Sequence, residues 1–184
     1  VCSSDLDIGG EPLASHLPLL CERHTGPLGR IVGHMAAANP HWRNLDGEKV
    51  LAIFTGPHCY ISPTLDKTAN SVPTWNYVAV HVVGTVHIER DPVRLREIVQ
   101  AYVEFYEASM PEPWSLDTAD SDFIARLLGA IVGFTIEIER IEGKWKLSQN
   151  HSPERRESVI LGLQSLGGTE RMRTASLMAE TIEK

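Results

Sequence analysis

The sequence predicts a mainly β domain, a small mixed barrel with helices attached late, and three observations point there. Apolar runs rich in Val and Ile recur in short, glycine-punctuated stretches, giving five to six strands. Helical periodicity is confined to the second half of the chain. No strand-helix-strand-helix rhythm occurs, so a doubly wound parallel sheet is disfavoured. At 184 residues the chain suits one domain with appendages.

Residues 1–10, "VCSSDLDIGG", show no periodic pattern and read as an unstructured or foreign segment. The barrel domain is expected over 11–151. "PLASHLPLLC", Pro12 to Cys21, suits one strand, which Pro18 places near a sheet edge. "GRIVGHMAA", from Gly29, is a strand running into a turn at Asn39-Pro40. "KVLAIFTG", Lys49 to Gly56, is apolar enough to be buried on both faces. Val78 to Glu89 is rich in β-branched residues, with Gly84 marking a bulge or bend.

The period then changes. Leu95, Ile98, Val99 and Tyr102 recur at helical spacing behind Asp91 as N-cap and Pro92 at the first helical position. "SDFIARLLGAI" gives a shorter helix, and "GFTIEIERIEGKWKLSQ" alternates as a hairpin or one long bent strand with a wet face. Residues 152–184 form a helical extension opened by Ser152-Pro153-Glu154.

Composition removes several functions. A hydrophobic share of 42% with no long apolar run leaves no membrane partner, and the cytoplasm is the expected compartment. A net charge of −7 argues against phosphate neutralisation as the main task. Neither a Walker loop nor a G-x-G-x-x-G turn is present. No metal site is expected: His58 and Cys59 are adjacent on an extended chain, and His81 and His87 lie about 20 Å apart along a strand. A G-x-S-x-G elbow is missing, and Cys59 reads more simply as a buried small hydrophobe than as a nucleophile.

"VPTWNY", Val72 to Tyr77, stands out. On a strand Thr74 and Asn76 share one face, while Trp75 and Tyr77 share the other. A hydroxyl and an amide opposite two rings suit either a planar heteroaromatic ligand or a packed core closed by a turn.

"GHMAAANPHW" (Gly33 to Trp42), "FTGPHCYISP" (Phe54 to Pro63), "VPTWNYVAVHVVG" (Val72 to Gly84) and "KWKLSQN" (Lys144 to Asn150) together resemble the PaiB-like family of FMN-binding negative transcriptional regulators. The resemblance implies an FMN-binding split β-barrel that pairs as a homodimer with flavin at the subunit interface. It implies cofactor contacts at His34, Asn39, Thr74, Trp75, Asn76 and Tyr77, with Lys146, Gln149 and Asn150 from the C-terminal strand, and with Lys146 or Arg30 offsetting the flavin phosphate. It names no catalytic residue. Two departures stand out: the N-terminal helix and first strand of the family are expected to be lacking, and Thr64-Leu65-Asp66 replace the aromatic pair that relatives carry after "ISP". DNA or a regulatory protein is the implied partner, although no basic recognition helix is visible. A small NAD(P)H-using FMN oxidoreductase and a haem-binding protein are the alternatives on the same barrel.

Overall fold

The computed structural model describes residues 2–8, 11–66, 68 and 70–182, with side chains from residue 13 onward. Seven strands form one sheet in the order β2-β1-β5-β6-β7-β4-β3. In chain order these are β1 (Cys2–Ile8), β2 (Glu11–Leu17), β3 (Leu20–Glu22), β4 (Arg30–Ala36), β5 (Lys49–Ile61), β6 (Thr74–Glu89) and β7 (Ile131–Lys146). Four helices accompany them among the described residues: α1 (Pro92–Glu107), α2 (Ser121–Leu128), α3 (Pro153–Leu166) and α4 (Thr169–Glu180). The pairs β1 with β2, β3 with β4 and β4 with β7 are antiparallel. The mainly β expectation with helical additions holds.

Two opening expectations are corrected. Cys2–Ile8 forms a strand, with Cys2 opposite Leu17 and Ile8 opposite Glu11, so the first ten residues are not unstructured throughout. Leu6 and Ile8 alternate with acids, a pattern too short to stand out in sequence, and the pairing with β2 supplies what side-chain pattern lacks. The single strand expected over Pro12 to Cys21 is two, broken at Pro18, which cannot donate to a ladder.

That break shapes the unit. β2 and β3 are the first and last strands of the order, yet only Pro18 and Leu19 separate them, so their ends lie within about 11 Å of chain. The sheet must curl to bring its edges this near, and the edges are not hydrogen-bonded neighbours. Tyr102 of α1 holds the place: its hydroxyl lies 2.6 Å from the Pro18 carbonyl and 3.0 Å from that of Val32.

The chain divides into two compact units, Val1–Ile53 with His81–Ile141, and Phe54–Val80 with Glu142–Lys184. The helical tail is therefore no separate extension beginning at 152; it shares a unit with the middle of the chain. In the first unit Leu95 of α1 packs with Leu116, Ile124 and Leu128, and Val32 packs with Ile98 and Tyr102. α1 starts where expected, Asp91 accepting from the N–H groups of Val93 and Arg94. Gly84 marks no break in β6. A Cβ there would lie 2.3 Å from the Glu137 carbonyl oxygen, so the glycine lets β6 and β7 approach closely.

In the second unit α3 and α4 form a hairpin, and Leu163, Ala175 and Met178 bury against Cys59 and Ile61 of β5. Val78 packs on this core, and Val82 is buried. No helix among the described residues is long and apolar enough to cross a membrane.

Candidate functional site

In the second unit β5 alternates: Cys59 and Ile61 point into the core while His58 and Tyr60 stay exposed. Trp75, on β6, is 54% exposed. Its ring centroid lies 6.2 Å from that of His58 and 6.3 Å from that of Tyr60, which it meets edge to face. These rings form one wall of a groove of about 520 Å³, closed on the other side by Thr169, Glu170 and Arg171 from the first turn of α4. Gly168 precedes that turn with φ of 88° and supplies no side-chain cap. The helix start therefore presents backbone N–H groups that no cap side chain satisfies. Glu170 accepts from the His58 N–H at 3.3 Å and fixes the β5 end of the groove to α4.

Beneath this wall the chain is anchored from α3. Leu65 packs where a Cβ on Gly162 would lie 2.8 Å from its Cδ2, and Ser158 donates to the Leu65 carbonyl. Asp66 accepts from Ser71, Thr68 and Arg155. The Ser71 hydroxyl, then the Thr68 N–H and Arg155, hold its carboxyl well below the usual carboxylate range despite burial that opposes them. The Thr64-Leu65-Asp66 stretch that departs from the family pattern is thus the segment docked on α3. Cys59 lies at the groove floor, and burial pushes its thiol up, which keeps it protonated and a poor nucleophile.

The nine expected contacts fall into both units. Of the seven in the second unit, Trp75 lines the groove. Thr74 accepts from Lys146 Nζ at 2.6 Å, and the same ammonium donates to the Trp75 carbonyl, so Lys146 braces the strand that carries the indole. Asn76 is fully buried: its Nδ2 donates to Met178 Sδ at 3.2 Å, and its Oδ1 accepts from Ser148 at 3.1 Å. Gln149 closes the turn after β7, accepting from the Leu147 N–H and donating to the Trp145 carbonyl. Tyr77 is half-buried and Asn150 exposed.

His34 and Asn39 belong to the first unit. The His34 ring meets Tyr102 edge to face at 4.9 Å, its buried Nδ1 lacks a partner among the described residues, and burial lowers its pKa. Asn39 caps the 3-10 turn Pro40–Asn44 by accepting from the His41 N–H, and donates to Ser15, whose Oγ lies 2.8 Å from His41 Nδ1. Arg30 forks onto Glu22 of β3.

Sequence reasoning missed His58, Tyr60 and Arg171. The first two were legible in "PHCYIS", where polar and apolar residues alternate, whereas Arg171 depends on how α4 folds back.

The residue 3–140 stretch matches the family model described as "Putative FMN-binding domain". The chain is 37% identical to the protease synthase and sporulation protein PAI 2 of Bacillus subtilis over 95% of its own length and 84% of that protein's. Among solved structures it is similar to the flavocytochrome Anf3 of Azotobacter vinelandii, with TM-score 0.58 and 13% identity over 78% of this chain. It spans 60% of that longer chain. It is also similar to the FAD and heme binding protein of Mycobacterium smegmatis, with TM-score 0.51 and 15% identity over 91% of this chain and 72% of that one. These likenesses show the fold alone, a split barrel.

The groove fits the cofactor. FMN presents a flat ring system, a hydrogen-bonding ring edge and a phosphate, and needs an aromatic surface, polar groups and a cation in one cleft. Trp75 and Tyr60 offer the surface, Ser62 and Thr169 the hydroxyls, and Arg171 the cation.

Proposed function

The chain belongs to the FMN-binding domain family, and from that premise we propose that it is a flavin-binding regulator of the PaiB type, holding FMN in the groove between the His58–Tyr60–Trp75 wall and the first turn of α4. One observation carries the placement: two large aromatic side chains stand about half exposed over an uncapped helix start with an arginine in its first turn. Two exposed aromatics meeting in one groove make a contiguous apolar surface that a flat ligand can cover. The indole and phenol would pack on the flavin ring, and Arg171 with the N–H groups of α4 would face its phosphate. Lys146 and Thr74 keep Trp75 in register, and Asn76 holds the strand to Ser148. Bound flavin would supply reversible one- and two-electron chemistry, and a protein whose groove changes with flavin state can pass that state to a partner.

The assembly we propose is a homodimer in the cytoplasm. β7 lies between β6 and β4 in the sheet, yet its residues 139–145 are exposed, Ile141 and Trp145 at 48% and 47%. Apolar side chains left open on an interior strand suit a second copy of this chain. The acidic charge and the lack of a basic recognition helix favour a protein partner over direct reading of DNA. Titrating the purified chain with FMN while following tryptophan fluorescence tests the placement: saturable quenching that Trp75→Phe and Arg171→Gln both weaken supports it, and flavin binding unaffected by either moves the flavin elsewhere.

A further inference from the structure

A second cavity of the same unit is lined by Ser71, Thr74, Ser148, His151, Arg155 and Arg156. Its charge is unbalanced. The one carboxylate on its wall, Asp66, already accepts from Thr68 and Ser71 and is neutralised by the Arg155 fork. Arg156 is left over. It is 6% exposed, and its Nη2 donates to two neutral oxygens, the Met178 carbonyl and the Thr181 hydroxyl. Its Nε is buried with no partner among the described residues. A guanidinium so placed carries an unmet donor and no carboxylate partner among the described residues, and a buried donor left unmet is costly away from water.

The wall offers a second donor. Thr74 Oγ1 accepts from Lys146, which leaves its own hydroxyl proton to donate elsewhere. Ser148 donates to Asn76 and Ser71 to Asp66, which leaves the Thr74 hydroxyl and Arg156 Nε, both on residues that line this cavity, as donors in need of an acceptor. The enclosed volume, about 20 Å³, admits one water-sized oxygen. An occupant must therefore enter by one end and keep its body at the mouth, where Val72 is 77% exposed and His151 half-buried.

We propose that this cavity seats one oxygen of a phosphate group, received by Arg156 Nε and the Thr74 hydroxyl, with the remaining phosphate oxygens toward His151. The cation left over by the Asp66–Arg155 pair matches an anion, and a phosphate offers oxygens to both the buried and the outer donors. The phosphate comes either from free inorganic phosphate or from the end of a nucleotide such as the flavin. The seat stands on its own contacts and does not depend on where the flavin ring lies.

The test is thermal melting of the full chain in potassium phosphate against potassium chloride of equal ionic strength, before and after saturation with FMN. A phosphate-specific rise of roughly 3–8 °C is expected. Thr74→Val and His151→Glu should each raise the half-saturating phosphate concentration at least about fivefold. Arg156→Met should abolish the rise; because Arg156 also holds the end of α4, the two milder variants decide if that variant does not fold. A rise that persists with FMN present assigns the seat to free phosphate. A rise that FMN removes, together with FMN binding tighter than riboflavin, assigns it to the flavin's own phosphate and takes that phosphate away from Arg171. No phosphate-specific rise in the flavin-free folded chain, or one that neither Thr74→Val nor His151→Glu alters, overturns the seat, whatever the outcome of flavin binding.

Discussion

Arg155 donates through Nε and Nη2 to the same oxygen of Asp66, at 2.9 and 2.6 Å, and so fastens the loop before β6 to the first turn of α3. Asp66 side-chain exposure is 5%, and Ser71 donates to that oxygen at 2.6 Å. The loop that delivers Trp75 to the groove is therefore held by a charge-assisted cluster. Asp66→Asn should cost about 1.5–3 kcal/mol, read as a lower urea midpoint. An unchanged midpoint would mean the cluster contributes nothing net.

The same carboxylate sets an acid limit. Its folded pKa is depressed, so its contribution is fully present above its unfolded value near ~3.9 and is lost as pH falls below that toward the folded value. Stability measured from about pH 5 downward should fall more steeply in the wild type than in Asp66→Asn. Parallel curves would place the acid sensitivity elsewhere.

Asn76 is the clearest case of a polar residue serving the interior of its own unit. Asn76→Ala would leave the buried Ser148 hydroxyl without its acceptor and open space beside Met178. The expected loss is about 1–3 kcal/mol by chemical denaturation. Flavin titration of the folded variant then separates this role from cofactor contact, since a purely interior residue leaves affinity near the wild-type value.

Gly84 and Glu137 make a steric prediction. A methyl group on Gly84 would collide with backbone, which cannot rotate away, so Gly84→Ala should destabilise by about 1–3 kcal/mol or more. Gly47→Ala, with open space but φ of 80°, should be strained through its backbone alone. Comparable midpoints for wild type and Gly84→Ala would show that the strands can spread.

What could be read in advance follows from how local each signal is. α1 announced itself through Asp91, Pro92 and the Leu95–Ile98–Tyr102 spacing, and α3 through Ser152, whose Oγ accepts from the Arg155 N–H. These are contacts within a few residues. β1 was missed because Leu6 and Ile8 behind Ser3 and Ser4 make too short an apolar alternation, and its strand character lies in backbone pairing to β2. Gly84 looked like a bend because a glycine in a strand has two explanations, and only the position of β7 chooses between them. The aromatic part of the site was legible at Trp75. The roles of Thr74 and Lys146 as braces were not, because each depends on a partner brought close by folding, as did the use of Arg171 from a helix more than ninety residues downstream.

Association is tested on β7. Trp145→Glu or Ile141→Glu puts a carboxylate on the exposed stretch, and either should shift sedimentation toward a single chain if a second copy covers it. A wild-type chain that sediments as a folded monomer at micromolar concentration would remove the dimer.

The most direct measurement of the central claim is an FMN titration of the purified chain, by flavin absorbance after dialysis and by tryptophan fluorescence, run beside Trp75→Phe and Arg171→Gln. Stoichiometric flavin uptake with quenching is expected, weakened roughly fivefold or more when Trp75 or Arg171 is replaced. A folded chain that takes up no flavin would contradict it.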